Sequence, residues 1–161
     1  MQLLLMRHGI AEDAGPRTGG RDEPRALTAA GAARMEEAAR GVVALGLRPD
    51  AVASSPLVRC RQTAEIVGAA LGVAPREHRA LRPGMGLDDL EDVLLEHPGA
   101  GSVLVCGHQP DLSRAVGDLT GGGLVEFAKG ALAVLVIARP RPGGGVLTAL
   151  YPPDALRRLG S

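Results

Sequence analysis

The chain opens on a continuous apolar run, Gln2 to Met6 (QLLLM), of strand length and without polar alternation, the pattern of a strand buried on both faces of a parallel sheet. Arg7-His8-Gly9 follows it directly. Residues 10–26 lack any hydrophobic period and are rich in Gly, Pro and charge, which predicts a long loop of the kind that is either functional or disordered. Periodicity returns after Thr28, an N-cap for a helix that runs to Leu45. Met35, Ala38, Val42 and Leu45 share its apolar face and Gly46 stops it. A short strand, Ala51 to Ala53, is expected next. Ser55 as N-cap and Pro56 at the first helical position then predict a second helix, whose stripe of Leu57, Cys60, Ala64, Val67 and Leu71 ends at Gly72. Arg59, Gln62, Thr63 and Ile66 fall off the centre of that stripe.

Residues 73–86 give at most one short strand and a loop, and Asp88 to Glu96 reads as an acidic helix that buries Leu90, Val93 and Leu94. Ser102 to Cys106 (SVLVC) is a second buried strand, followed by Gly107-His108-Gln109-Pro110 and a helix around Asp111 to Leu119. After Gly121-Gly122-Gly123, the runs Ala131–Ala138 and Val146–Tyr151 flank a turn at 139–145 and predict a hairpin. No internal repeat or linker divides the chain, so one domain over 1–161 is expected. Alternating strand and helix units predict a three-layer α/β/α sandwich with a mainly parallel central sheet.

Composition narrows the chemistry. The 161 residues are 45% hydrophobic and 22% charged, enough for one apolar core. Tyr151 and Phe127 are the only aromatics, so no base-stacking surface exists and nucleic acid is not an expected partner. Eighteen basic and eighteen acidic residues cancel, so an anion site must be local. All but one of the cations are arginine, Lys129 being the exception, so position rather than residue type must identify a functional Arg. No stretch has the length of a membrane span and Met1–Met6 lacks the marks of a signal peptide, so a cytoplasmic protein with no membrane partner is expected. Cys60 and Cys106 match no metal spacing and are expected as reduced, buried thiols; no metal or other cofactor is implied. His78 and His97, near element ends, are expected at the surface.

Three segments rich in charged or titratable groups each follow a predicted strand: Arg7-His8-Gly9, Ser54 to Arg59, and Gly107-His108. In an open α/β sheet, ligands bind beyond the carboxyl ends of the strands. A parallel arrangement would bring two arginines and two histidines into one crevice, where only an anion relieves their repulsion. Arg forks pair bidentately with phosphate, which makes a phosphate group the expected guest.

These segments carry a family likeness. LLLMRHG, the loop ending Arg25-Ala26-Leu27-Thr28, SSPLVRCRQTAEIV and SVLVCGHQP together resemble the histidine phosphatase superfamily, also called phosphoglycerate-mutase-like, over most of the chain and in the right order. The short length, RALT and SSPLVRCRQTAE are most similar to its SixA-type phosphohistidine phosphatases. The resemblance implies a nucleophilic His8 that carries a phosphoryl group, with Arg7, Arg59 and His108 around the phosphate oxygens and Arg25 as a further substrate contact. It implies a phosphorylated protein or small phosphorylated molecule as partner and leaves the oligomeric state open. A nucleophilic His must be neutral, with one ring N–H held by an acceptor such as the Gly9 carbonyl, a tight approach that Gly9 permits.

One departure matters. Phosphomonoesterases of this family place a Glu or Asp after the third strand to protonate the leaving oxygen. Here Ala80 to Leu87 (ALRPGMGL) contains none, and Asp88 and Asp89 read as helix-start residues. A phosphoramidate nitrogen tolerates that loss better than an alkoxide, which favours phosphohistidine as substrate. The alternatives are a small-molecule phosphomonoesterase, with Asp88, Asp89 or Glu12 as its acid, and a phosphate-recognition module without turnover.

Overall fold

Six strands form one sheet in the order β3-β2-β4-β1-β5-β6, in a computed structural model that describes residues 1–161. The elements are β1 (Gln2–Arg7), α1 (Ala29–Ala44), β2 (Ala51–Ser54), α2 (Val58–Leu71), β3 (Pro75–Glu77), α3 (Leu87–Leu95), β4 (Ser102–Gly107), α4 (Asp111–Thr120), β5 (Leu132–Ile137), β6 (Gly145–Tyr151) and α5 (Pro153–Leu159). β3, β2, β4 and β1 are mutually parallel; β5 and β6 add an antiparallel hairpin beside β1.

Period-two side-chain geometry explains the layers. Leu3 and Leu5 of β1 point into a cluster with Leu90, Val93, Leu112 and Phe127 under α3 and α4. Leu4 and Met6 point the other way, onto Met35, Ala38, Val42, Ala64 and Val67 of α1 and α2 and Leu156 of α5. Both faces of the central strands are therefore covered, which is why β1 and β4 read as unbroken apolar runs and why the fold is a three-layer α/β/α sandwich.

Three expectations need correction. α2 begins at Val58, with Leu57 as its N-cap residue, not at Ser55-Pro56. The Ser55 hydroxyl is engaged by a histidine ring, as described below, and only weakly approaches Leu57 N at 3.4 Å. His78 is buried where the residues that follow α3 return to the end of β3: its Nδ1 lies 3.3 Å from Glu96 Oε1 and its Nε2 3.2 Å from His97 Nε2. The chain also ends in a helix that the pattern did not announce, α5, whose backbone lies against α1. A Cβ on Gly41 would stand 2.0 Å from the Leu156 carbonyl oxygen, so only glycine admits this approach. No helix is long and apolar enough to cross a membrane.

Candidate active site

Strand register assembles the site. β1 and β4 pair so that Arg7 stands beside Gly107, and β2 pairs with β4 so that Ser54 stands beside Cys106. The next residues of each strand therefore leave the same sheet edge as neighbours: His8 N donates to Gly107 O at 3.2 Å and Ser55 N to Cys106 O at 3.1 Å. Arg59, on the first turn of α2, reaches into this group, and all three ring- or guanidinium-bearing residues, His8, Arg59 and His108, are buried.

His8 is held in one tautomer. Its Nδ1–H donates to the carbonyl of Gly9 at 2.7 Å, which leaves the Nε2 lone pair to accept from Arg59 Nε at 3.2 Å. Burial, with the nearby Arg59, His108 and Arg7, drives its pKa down to about 3 against the opposing pull of the Gly9 carbonyl, so the ring is neutral at physiological pH. Gly9 is itself fixed: its N–H donates to Thr63 Oγ1 at 3.1 Å, and a Cβ there would stand 2.6 Å from Met35 Cγ. Thr63 in turn donates to the Arg59 carbonyl one helical turn earlier, at 2.7 Å.

His108 is oriented by its own set. Its Nε2–H donates to Ser55 Oγ at 2.8 Å, and Nδ1 accepts from Arg59 Nη2 at 3.3 Å. The Cys60 thiol packs against the same ring, 3.5 Å from Nε2, and donates to Gly107 O. The two histidine rings are 5.5 Å apart between centroids, with one guanidinium bridging their free lone pairs. Arg7 donates through Nη1 to Phe127 O at 2.6 Å, while its buried Nε–H has no acceptor in the chain, and burial lowers its pKa in spite of Glu126 nearby. A buried donor without a partner is rare and costly.

The loop before α1 is ordered. An isolated bridge between Ala11 and Leu27 closes its neck, and Glu12 N donates to Ala26 O at 2.8 Å. From its tip, Asp22 lies against Arg59, Oδ2 accepting from Nη2 at 2.8 Å and its carbonyl from Nη1 at 3.0 Å. Arg25 does not touch His8; its Nη1 donates to Asp22 Oδ1 at 2.8 Å and its Nε to the Glu12 carbonyl, so it joins the cluster through Asp22. Arg17 is spent on Glu12 and Arg21 is exposed. The proposed acids are engaged elsewhere or lie at the surface: Glu12 pairs with Arg17, Asp89 accepts from Gly86 N at the start of α3, and Asp88 is exposed. No three His, Cys, Asp or Glu side chains stand close enough together to hold a metal ion.

Pattern reading missed Asp22, Ser55 and Thr63 as parts of this site. Thr63 was legible in part, because positions four apart share a helix face and Arg59 had been singled out. Asp22 lies in an aperiodic loop and carried no signal.

Residues 3–86 match the family model described as histidine phosphatase superfamily (branch 1). An uncharacterized protein of Picosynechococcus is 41% identical over 118 residues, 71% of this chain and 70% of that protein. Among solved structures, the protein histidine phosphatase SixA complexed with tungstate is similar at TM-score 0.84 and 27% identity, over 97% of this chain and 99% of that one. A chain from Agrobacterium tumefaciens, described provisionally as the phosphohistidine phosphatase SixA, is similar at TM-score 0.78 and 26% identity over 92% and 96%. A phosphoserine phosphatase mutant from Entamoeba histolytica shares the fold at TM-score 0.69 and 15% identity over 96% and 98%.

Proposed function

Because the chain belongs to branch 1 of the histidine phosphatase superfamily, a family of phosphatases, we propose that it hydrolyses phosphohistidine through a phosphoryl intermediate on His8, in a single domain spanning 1–161. The observation that carries this reading is the neutral His8 ring, its Nδ1–H held by Gly9 O and its Nε2 lone pair directed at Arg59 inside a cluster of cations.

An entering phosphoryl group accepts from Arg59 and Arg7, beside the His108 ring that Ser55 orients, and so draws the Arg59 N–H away from Nε2. The freed lone pair attacks phosphorus: the P–Nε2 bond forms, the bond to the leaving group breaks, and its electron pair leaves with that group. Water then attacks phosphorus, releasing inorganic phosphate and restoring neutral His8. Charge on the phosphoryl oxygens is stabilised by donors already in place, which is how phosphoryl transfer is largely catalysed. Arg25 acts at the rim, where it shares Asp22 with Arg59.

Phosphohistidine rather than a phosphomonoester is favoured because residues 80–87 bear no carboxylate and the next acids are capping α3 or exposed. The similarity to SixA over nearly the whole chain supports the same choice. The substrate is then a phosphorylated protein or a small molecule carrying that group. The test is phosphate release from a phosphohistidine peptide and its phosphoserine counterpart, without added metal, by wild type and His8→Ala. Preferential release from phosphohistidine, reduced at least ~10³-fold in the variant, is expected. Equal turnover of phosphoserine overturns the substrate, and unchanged turnover in His8→Ala overturns the nucleophile.

A further inference from the structure

We infer that Asp22 is a specificity-determining residue: its carboxylate, set by the loop on the outer edge of Arg59, selects substrates whose leaving group is a protonated nitrogen ring over those that leave as an oxyanion. This rests on the function proposed above and extends it to the basis of substrate choice.

Position carries the inference. The Arg59 nitrogen that donates to Asp22 Oδ2 at 2.8 Å also lies 3.3 Å from His108 Nδ1, and the same guanidinium meets His8 Nε2 through Nε at 3.2 Å. One planar group thus separates the carboxylate from the nucleophile. The placement is built, not incidental. Arg59 also grips the Asp22 carbonyl, Arg25 holds the second carboxylate oxygen at 2.8 Å, and Val58 N donates to Glu23 O at the start of α2. Of the other carboxylates nearby, Glu12 pairs with Arg17, Asp89 accepts from Gly86 N and Asp111 from Gly84 N, while Glu126 stands on the far side beside Arg7.

Charge state decides what such a carboxylate does. Partial burial raises the Asp22 pKa, but hydrogen bonds from Arg25 and Arg59 outweigh it and hold the carboxyl below its usual range. Asp22 therefore has no proton to give at neutral pH and does not replace the missing general acid. Its effect is that of a fixed negative charge. When the P–N bond of phosphohistidine breaks, the electron pair stays on the ring nitrogen. A ring protonated on its other nitrogen leaves as neutral imidazole, and that N–H is a donor a carboxylate accepts strongly. When a P–O bond breaks, charge accumulates on the departing oxygen, and the same carboxylate opposes it. Repulsion between Asp22 and the phosphoryl oxygens is common to both substrates and cancels in their ratio.

The experiment measures kcat/KM for a phosphohistidine peptide and for its phosphoserine counterpart in wild type, Asp22→Asn and Asp22→Glu. Asp22→Asn is expected to lower the phosphohistidine-to-phosphoserine ratio by roughly five- to tenfold, the scale of one charge at a half-exposed site, while Asp22→Glu retains most of it. An unchanged ratio in Asp22→Asn, or parallel loss on both substrates, overturns the inference and leaves Asp22 as a brace for Arg59. Wild type without any phosphohistidine preference counts instead against the function proposed above, since the change in ratio from wild type to variant reads Asp22 alone.

Discussion

The carboxyl ends of β1, β2 and β4 and the loop before α1 face each other across one guanidinium, and they are built on opposite terms. On the sheet side, His8, Ser55 and His108 are 6%, 0% and 3% exposed, and the backbone of each is set by the register of parallel strands. On the loop side, the Asp22 side chain is 52% exposed and its partners are side chains. The groups proposed to make and break bonds sit where packing allows one geometry; the group proposed to sort substrates sits on a segment outside the core. Arg59 belongs to both regions.

Replacing that shared residue should therefore cost most. Arg59→Lys keeps a positive charge but removes the fork that serves His8, His108 and Asp22 together, and kcat/KM for phosphate release is expected to fall about 10²-fold. A loss within a few-fold would mean that charge alone suffices. Thr63→Val tests the rigid side by itself. It leaves the buried Gly9 N–H without an acceptor, so chemical denaturation should show a loss of about 1–3 kcal/mol, with the lower activity residing in kcat.

Acid probes the same wall. His8 titrates at about 3 in the folded protein against an ordinary 6.5, so the unfolded chain alone binds its proton between those values. Stability is whole above that window and falls as pH drops through it, by at most ~1.4 kcal/mol per pH unit. Asp22, held below its usual range, contributes in the same direction. Thermal midpoints from about pH 7 to about pH 5 should fall more steeply for wild type than for His8→Gln; parallel curves would show that the ring is not buried as a neutral group. The smallest effect belongs to the outer loop contact. Glu23→Gln removes a 2.8 Å ion pair with Arg82 whose side chains are 60% and 51% exposed, and is expected to change stability by under about 0.5 kcal/mol and activity by under about twofold.

The two regions also differ in what pattern alone disclosed. β1, β4 and the amphipathic faces of α1 and α2 follow from apolar periodicity, because burial on one or both faces writes itself into residue spacing. Arg7, His8, Arg59 and His108 were singled out by their place just after strands or early in a helix, and the structure brings them together. Asp22 and its hold on Arg59 were not legible: a loop closed by backbone bonds at its neck has no period, and its tip contacts depend on tertiary geometry. Ser55 was misread for a related reason, since serine before proline signals a helix cap whether or not a histidine claims the hydroxyl. The burial of His78 comes with Glu96 and His97, which reach it from beyond α3, a tertiary contact that no local pattern announces. α5 is too short to show a period, and its one clue was the glycine inside α1, Gly41, whose missing Cβ makes room for it.

The backbone pairing of Ala11 with Leu27 has a consequence for how this architecture tolerates change in length. With the neck closed, residues added at the tip are paid for mainly as loop-closure entropy, about 0.6 kcal/mol for each doubling of loop length. Neither β1 nor α1 need shift to accommodate them. The tip can thus take insertions of many sizes without moving the strand that carries His8, provided that Asp22 keeps its bonds to Arg59.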